Sequence, residues 1–358
     1  MKKAYLVLGN GSVFEGQSIG AEGNTLGEMV FTTGMAGYIE TLTDPSYAGQ
    51  IVMQTFPLIG NYGIIEEDFE GECAVKGYIV REICDEPSNF RSSYPLEKFL
   101  KDRGVCGICG VDTRELTRIL RDEGVMNAMI CTEPPKDISA IRDYKVTGVV
   151  AQTSCREVHT ISAEGEKRYS VGLVDYGAKT NIIRCLRAKG CEVTVFPQDT
   201  PAEEILAHNF DGLMLSNGPG DPAENTFCIA QIAKLVGKLP IFGICLGHQL
   251  AALAMGGKTT KLKYGHRGAN QPVRDIKHGR TYITSQNHGY AVAAASLEGV
   301  AVPTFINAND GTCEGLDYPG KQLFTVQFHP EACAGPNDTG YLFDRFIDMM
   351  GGMSNAQG

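Results

Sequence analysis

The feature that most constrains the fold is a regular alternation of short apolar runs and helix-forming stretches between residues 170 and 255. The apolar runs have the length of buried strands, and the stretches between them have helical spacing. This alternation predicts a doubly wound α/β domain, with a mostly parallel sheet and crossover helices. The predicted strands are Ser170–Asp175, Glu192–Phe196, Asp211–Leu215 and Ile241–Ile244, and the predicted helices are Ala178–Lys189, Ala202–Ala207, Ala223–Val236 and Leu246–Met255.

A chain of 358 residues is long enough for two domains. The sequence pattern predicts a strand-rich N-terminal domain over residues 1–152, a polar linker over residues 153–169, and the α/β domain over residues 170–358. The N-terminal strands are expected at Ala4–Leu8, Met29–Thr32, Gln50–Gln54 and Gly77–Ile83, and helices at Tyr94–Arg103 and Arg114–Asp122. Beyond residue 255 the pattern predicts strands at Thr281–Ser285, Tyr290–Ala294, Ala301–Ile306 and Gln322–Phe328, then the helix Gly340–Met350.

Charge and composition exclude several classes of partner. The net charge is −10, so no basic excess is present to bind nucleic acid or an anionic membrane. No apolar run is long enough to span a membrane, and the apolar run near the N-terminus is too short for a signal peptide. Twelve cysteines without framework spacing favour a reducing, cytoplasmic setting. Cys106 and Cys109 lie in an apolar run and are interpreted as core residues, so no metal site is expected.

Cys245 is the strongest candidate for chemistry. It lies where the predicted strand Ile241–Ile244 meets the predicted helix Leu246–Met255, with Gly243 and Gly247 on either side. Small neighbours tolerate the strained backbone of such a corner, and a helix N-terminus favours a thiolate, the nucleophile of acyl transfer. The alternative is that Cys245 is a buried core cysteine.

His329 follows the predicted strand Gln322–Phe328, and Glu331 lies two residues later. A histidine oriented by a carboxylate can act as base and then acid for a cysteine nucleophile, although a structural histidine is the alternative. Gly220, in the loop after Asp211–Leu215, offers an unhindered N–H that could bind an oxyanion together with the N–H of Leu246. Ser46, taken alone, is interpreted as a turn residue.

The second half contains four motifs, Asn217-Gly-Pro-Gly-Asp-Pro222, Gly243-Ile-Cys-Leu-Gly-His-Gln249, Ser285-Gln-Asn-His-Gly-Tyr290 and Phe328-His-Pro-Glu331. In their order and spacing they resemble the motifs of class I (triad) glutamine amidotransferases. The first half contains the stretches Gly27–Glu40, Thr43–Gln50, Pro57–Gly63 and Val111–Arg118. Through these stretches it resembles the family of small, glutamine-hydrolysing subunits of carbamoyl-phosphate synthase.

The resemblance implies a role for each matching residue. Cys245 is expected to form a γ-glutamyl thioester, with His329 as base and then acid and Glu331 orienting it. The residues expected to bind glutamine are Ser46, Gly218, Gly220, Leu246, Gln249, Asn287, Gly289 and Tyr290. The implied role of Ser46 replaces its interpretation as a turn residue, and means that the N-terminal domain helps to close the glutamine pocket.

The resemblance also implies a partner. A separate large subunit is expected to bind ATP, magnesium and bicarbonate and to make carbamoyl phosphate for arginine and pyrimidine synthesis, so this chain itself needs no cofactor. The N-terminal domain is expected to dock on that partner.

Three alternative functions remain. The second half could supply ammonia to another acceptor, as in anthranilate or GMP synthesis, but the first half argues against that. A non-catalytic docking subunit would not need Cys245, His329 and Glu331 together. A free-standing hydrolase would leave the first half without a purpose.

Overall fold

The computed structural model describes residues 2–332 and 334–354, and the chain divides into two compact units, Met1–Thr147 and Gly148–Gly358. Within 153–169, the segment that the sequence predicts as a linker, His159–Ile161 forms a strand paired with the sheet of the second unit. No helix of the described residues is both long and apolar enough to cross a membrane.

The first unit is built on a closed seven-stranded barrel in the order β1-β2-β8-β6-β4-β3-β9. Its strands β1 to β9 are Lys3–Leu8, Val13–Gly20, Thr25–Thr32, Gln50–Gln54, Leu58–Ile59, Gly77–Ile79, Glu82–Ile83, Cys106–Cys109 and Met126–Cys131. Its helices α1 to α4 are Tyr38–Thr43, Leu96–Asp102, Thr113–Glu123 and Ser139–Asp143. The short strands β5 and β7 pair with each other outside the barrel.

Alternation along the barrel strands explains how both of their faces are covered. Ile51 and Met53 of β4 belong to one apolar cluster with α3, whereas Val52 belongs to another with α2. Successive side chains of a strand point to opposite faces, so apolar clusters form on both faces of the barrel strands. Asp112 caps the N-terminus of α3, since its carboxylate accepts the Glu115 N–H at 3.0 Å.

The second unit contains a ten-stranded sheet in the order β10-β12-β11-β13-β14-β19-β18-β16-β15-β17. Its strands β10 to β19 are His159–Ile161, Tyr169–Asp175, Cys191–Pro197, Gly212–Leu215, Ile241–Ile244, Thr259–Asp275, Thr281–Val292, Val302–Asn307, Cys313–Tyr318 and Leu323–Val326. Its helices α5 to α10 are Val149–Thr153, Thr180–Ala188, Ala202–Ala207, Thr226–Leu235, Leu246–Ala254 and Tyr341–Ser354.

The predicted doubly wound α/β class is confirmed in the centre of this sheet. Strands β12, β11, β13, β14 and β19 are mutually parallel. Helices α6 and α10 pack on one face, and α7, α8 and α9 on the other. The ligand-binding edge of such a sheet lies at the carboxyl ends of its parallel strands, which fixes where the site must form.

An antiparallel extension beyond β19 departs from the predicted pattern. The prediction of two separate strands at Thr281–Ser285 and Tyr290–Ala294 is wrong. One strand, β16, runs unbroken through the polar residues between them. Those residues pair with β15, which the sequence did not predict. Strand β15 carries many charged residues, two register shifts and partly exposed faces, so it has little hydrophobic alternation to reveal it.

Candidate active site

Cys245 occupies the corner between β14 and α9 with φ 53° and ψ −101°, a backbone conformation that non-glycine residues rarely adopt. The corner is held by close backbone packing. A Cβ on Gly247 would lie 2.4 Å from the Leu215 carbonyl oxygen, and one on Gly243 would lie 3.0 Å from the Gly247 backbone. A larger residue at 247 would clash with the backbone and one at 243 would be tight, so the two glycines let α9 begin immediately after the strand with Cys245 at its N-cap.

His329 comes from the neighbouring parallel strand. Ile244 pairs with Val326, and the Cys245 N–H donates to the Val326 carbonyl oxygen at 2.8 Å. Three residues further on, the His329 N–H donates to the Ser285 carbonyl oxygen at 2.9 Å. Cys245 and His329 therefore both follow the carboxyl ends of adjacent strands.

Glu331 orients the His329 ring. The distance from His329 Nδ1 to Glu331 Oε1 is 2.6 Å, and both side chains are buried. Burial raises the pKa of the Glu331 carboxyl, but the charge and hydrogen bond of His329 and the charge of Lys179 together outweigh burial and lower that pKa. An ionised Glu331 can only accept, so Nδ1 carries the hydrogen.

The other ring nitrogen of His329 is left to act as a base. Nε2 is buried and has no hydrogen-bond partner among the described residues. With the hydrogen on Nδ1, a neutral ring presents a lone pair at Nε2, the form needed to accept a thiol proton.

Asn287 lies against the sulfur. Cys245 Sγ is 3.6 Å from the Asn287 carbonyl oxygen, so β16 borders the nucleophile. On the same strand, the Tyr290 carbonyl oxygen accepts a hydrogen bond of 2.8 Å from Gln249 Nε2, which also donates to Gln327 Oε1 at 2.9 Å. Gln249 thereby ties α9 to β16, and Gly289 lies between these two contacts.

The loop after β13 approaches the same corner. A Cβ on Gly218 would lie 2.4 Å from the Tyr176 carbonyl oxygen and 2.8 Å from Leu246 Cδ2, so this loop packs beside the start of α9. Gly220 has φ +85°, a conformation that glycine adopts without strain. The loop beside the start of α9 therefore has a shape that depends on its glycines.

Ser46 lies in the first unit, in a single 3₁₀ turn at Pro45–Tyr47. It is buried, and its N–H donates to Asp44 Oδ1 at 2.9 Å. Its expected contact with glutamine stays a prediction.

His248, although inside the cysteine motif, is a packing residue. It is fully buried, and its Nδ1 lies 2.8 Å from Thr325 Oγ1. Burial lowers the pKa of His248 to about 3, so the ring is neutral near pH 7.

Sequence reasoning missed the residues that hold these loops. Asp175 Oδ1 accepts the N–H groups of Gly177 and Ala178 at 2.8 and 2.7 Å. The side chain of Asn217 accepts the Lys179 N–H at 2.9 Å and donates to the Gly177 carbonyl oxygen at 3.0 Å. These bonds join the loops after β11 and β13. The Asp175-Tyr-Gly177 turn was a local signal for the first pair, but nothing local indicated the partner of Asn217.

Comparison with protein families divides the chain in the same way. The model described as glutamine amidotransferase class-I matches residues 172–349, and the model described as carbamoyl-phosphate synthase small chain, CPSase domain, matches residues 6–130. Cys245, His329 and Glu331 all fall within the first match.

Full-length relatives share about half of their residues with this chain. A protein of Clostridium perfringens is 51% identical, covering 96% of this chain and 99% of its own length. A protein of Syntrophotalea carbinolica is 48% identical, covering 99% and 100%. A protein of Listeria monocytogenes is also 48% identical, covering 100% and 99%. Each of the three is named carbamoyl phosphate synthase small chain.

Proposed function

This chain belongs to the carbamoyl phosphate synthase small chain family, and we propose from that premise that it hydrolyses glutamine at Cys245 and passes the ammonia to a large synthase subunit. The observation that carries the proposal is the 2.6 Å contact between His329 Nδ1 and Glu331 Oε1. These two residues follow β19, the strand paired with β14, and the strained Cys245 follows β14. A cysteine nucleophile needs an oriented base, and a strand-to-helix corner is a position at which nucleophiles occur.

The first half of the reaction forms a thioester. His329 Nε2 takes the thiol proton, and Cys245 Sγ attacks the side-chain carbonyl carbon of glutamine. The N–H groups of Leu246 and Gly220 stabilise the tetrahedral oxyanion. His329 then gives its proton to the leaving nitrogen, which departs as ammonia, and the carbon remains bonded to sulfur.

The second half releases glutamate. Water attacks the thioester while His329 takes its proton, and the carbon–sulfur bond breaks to return the thiol. The sum is glutamine plus water giving glutamate plus ammonia. Glu331 keeps the His329 ring oriented and stabilises its charged form in both halves.

Glutamine binding is assigned to Ser46, Gly218, Gly220, Leu246, Gln249, Asn287, Gly289 and Tyr290. In the second unit, the support is the position of Gly218 beside Leu246, of Asn287 against the sulfur, and of Gln249 hydrogen-bonded to Tyr290.

Ammonia is protonated in neutral water and then ceases to be a nucleophile, so its acceptor must be reached without passing through solvent. We assign ATP, magnesium and bicarbonate to the large subunit, together with the synthesis of carbamoyl phosphate for the arginine and pyrimidine pathways. A cytoplasmic heterodimer is the arrangement proposed.

The test is glutamate release from glutamine by the purified chain, with and without a large subunit, for wild type, Cys245→Ala and Cys228→Ala. Cys228 is another buried cysteine and serves as the matched control. Weak release that the partner stimulates, lost in Cys245→Ala and retained in Cys228→Ala, supports the proposal. Release that ignores the partner indicates a free-standing hydrolase. No release in either setting indicates a docking subunit.

A further inference from the structure

Three strands of the antiparallel extension bring two histidines and a glutamate together away from the cysteine corner. His266 of β15 and His288 of β16 are direct cross-strand partners, and Glu314 lies on β18. All three side chains are buried, and one ligand atom of each lies within 4.8 Å of the others. A group placed on three paired strands is held more rigidly than one on loops.

Each histidine has one ring nitrogen committed to an outer acceptor. His288 Nδ1 is 2.7 Å from the Tyr290 carbonyl oxygen, and His266 Nε2 is 2.8 Å from Asp310 Oδ2. A carbonyl and a carboxylate oxygen accept, so these two nitrogens carry hydrogens. In its neutral form each ring presents a lone pair at its other nitrogen, His266 Nδ1 or His288 Nε2. A second ring nitrogen bonded to a carbonyl or carboxylate is the arrangement that orients histidines bound to metals.

Glu314 supplies an oxygen that the described residues do not satisfy. Its side chain is fully buried, and its Oε2 has no hydrogen-bond donor among them. Its Oε1 is 3.4 Å from His266 Nδ1, 3.2 Å from Asn307 Nδ2 and 3.4 Å from Thr312 Oγ1. A buried carboxylate oxygen without a donor is costly, and a cation between it and the two imidazole lone pairs removes that cost.

A fourth ligand atom comes from Gln286. Gln286 Oε1 lies 3.1 Å from His288 Nε2, where two acceptors face each other if His288 Nδ1 carries the hydrogen. Two imidazole nitrogens and two oxygens form a ligand set suited to zinc and chemically similar divalent cations, rather than to calcium or magnesium.

We propose that His266 Nδ1, His288 Nε2 and Glu314 bind one divalent transition-metal cation of the zinc class, with Gln286 Oε1 as a fourth ligand. Ligand atoms around tetrahedral zinc lie about 3.3 to 3.5 Å apart, so the side chains must close by about an ångström on binding. The cation cross-links β15, β16 and β18, and its ligand His288 lies on β16 between Asn287 and Tyr290. Its role is structural and does not depend on the proposed glutamine hydrolysis.

The probe is cobalt(II), added to the metal-stripped full chain. Twelve cysteines make zinc stoichiometry alone ambiguous, whereas cobalt bound to thiolates shows intense charge-transfer absorption that a nitrogen and oxygen site lacks. The expected result is one equivalent bound with the visible bands of tetrahedral cobalt, no thiolate absorption, and a raised unfolding temperature.

Two variants locate the site. Glu314→Gln keeps the size of the side chain but removes its charge, and is expected to weaken cobalt binding at least about tenfold. Glu298→Gln, at an exposed position, is the matched control and should bind as wild type does. Binding unchanged by Glu314→Gln, thiolate absorption, or no binding by the wild-type chain each overturns the proposal. The wild-type measurement decides even if Glu314→Gln fails to fold.

Discussion

The backbone of Cys245 has a conformation that is sterically unfavourable for any residue with a side chain. At φ 53° and ψ −101°, the Cβ of any L-residue is crowded, at a cost of about 1 to 3 kcal/mol. The chain keeps this strain at the residue that carries the nucleophile of the proposed reaction. The strain belongs to the backbone rather than to the sulfur, so it can be measured by substitution.

Cys245→Gly is expected to be more stable than Cys245→Ala by about 1 kcal/mol, because relief of strain exceeds the extra chain entropy of glycine. Thermal unfolding of the two variants side by side provides the measurement. At Cys228, inside helix α8, the order should reverse, since glycine destabilises a helix interior. An alanine variant at 245 as stable as the glycine variant contradicts the strain.

The Glu331 carboxyl makes stability depend on pH in a defined direction. Its pKa in the folded chain lies below the unfolded value of about 4.3, so its contribution is fully present above that pH. The contribution is lost as the pH falls through the folded pKa.

The difference in unfolding free energy between wild type and Glu331→Gln is therefore expected to be constant near neutral pH. Below about pH 4.3, the wild type should lose stability relative to Glu331→Gln. Urea unfolding across this range measures it. A difference that stays constant down to pH 2, or that moves in favour of the wild type, would show that Glu331 is not ionised beside His329.

At the scale of secondary-structure elements, the contact of helix α9 with the end of β13 sets the position of the helix. Gly247 on the first turn of α9 meets the Leu215 carbonyl oxygen, and the Gly247 N–H donates to the Ser216 carbonyl oxygen at 3.0 Å. The helix therefore lies directly against the strand end, which sets the position of the residues that follow Cys245.

Gly247→Ala is expected to destabilise the chain by about 1 to 3 kcal/mol and to reduce glutamine hydrolysis, because the new Cβ displaces α9 from β13. Gly352→Ala, in helix α10, meets nothing within 4 Å and should be neutral or stabilising. Unfolding midpoints and glutamate release measure both effects. A Gly247→Ala variant with wild-type stability and activity would mean that the contact does not position the helix.

At the scale of the whole molecule, the residues proposed for the reaction lie in both units. The cysteine, histidine and glutamate lie in Gly148–Gly358, whereas Ser46 lies in Met1–Thr147. A contact of Ser46 with glutamine is a prediction that the following variant tests.

Ser46→Ala is expected to raise KM for glutamine by about tenfold and to leave kcat nearly unchanged, as the loss of one hydrogen bond to bound substrate predicts. Steady-state glutamate release in the presence of the large subunit measures both constants. Ser88→Ala, an exposed serine of the same unit, is the control. An unchanged KM for Ser46→Ala removes Ser46 from the glutamine site.

Local patterns predicted much of the central sheet and its chemistry. The strand Ile241–Ile244 and the helix Ala202–Ala207 have the bounds predicted from the sequence, since apolar runs and helical spacing are properties of neighbouring residues. The corner at Cys245 follows from the same pattern, because a strand that meets a helix without a loop leaves one residue at the turn.

Tertiary structure decided what depends on partners distant in the chain. Closure of the barrel by β1 and β9 depends on pairing between segments far apart in the chain. The long strand β15 and the unbroken β16 arise from pairing between segments whose own residues are largely polar or irregular. For the same reason, only the fold shows that His266, His288 and Glu314 meet, although two of them are 48 residues apart in the sequence (314 − 266). The sequence of this protein determined which residues could do chemistry; strand register, which no local pattern encodes, decided which of them lie together.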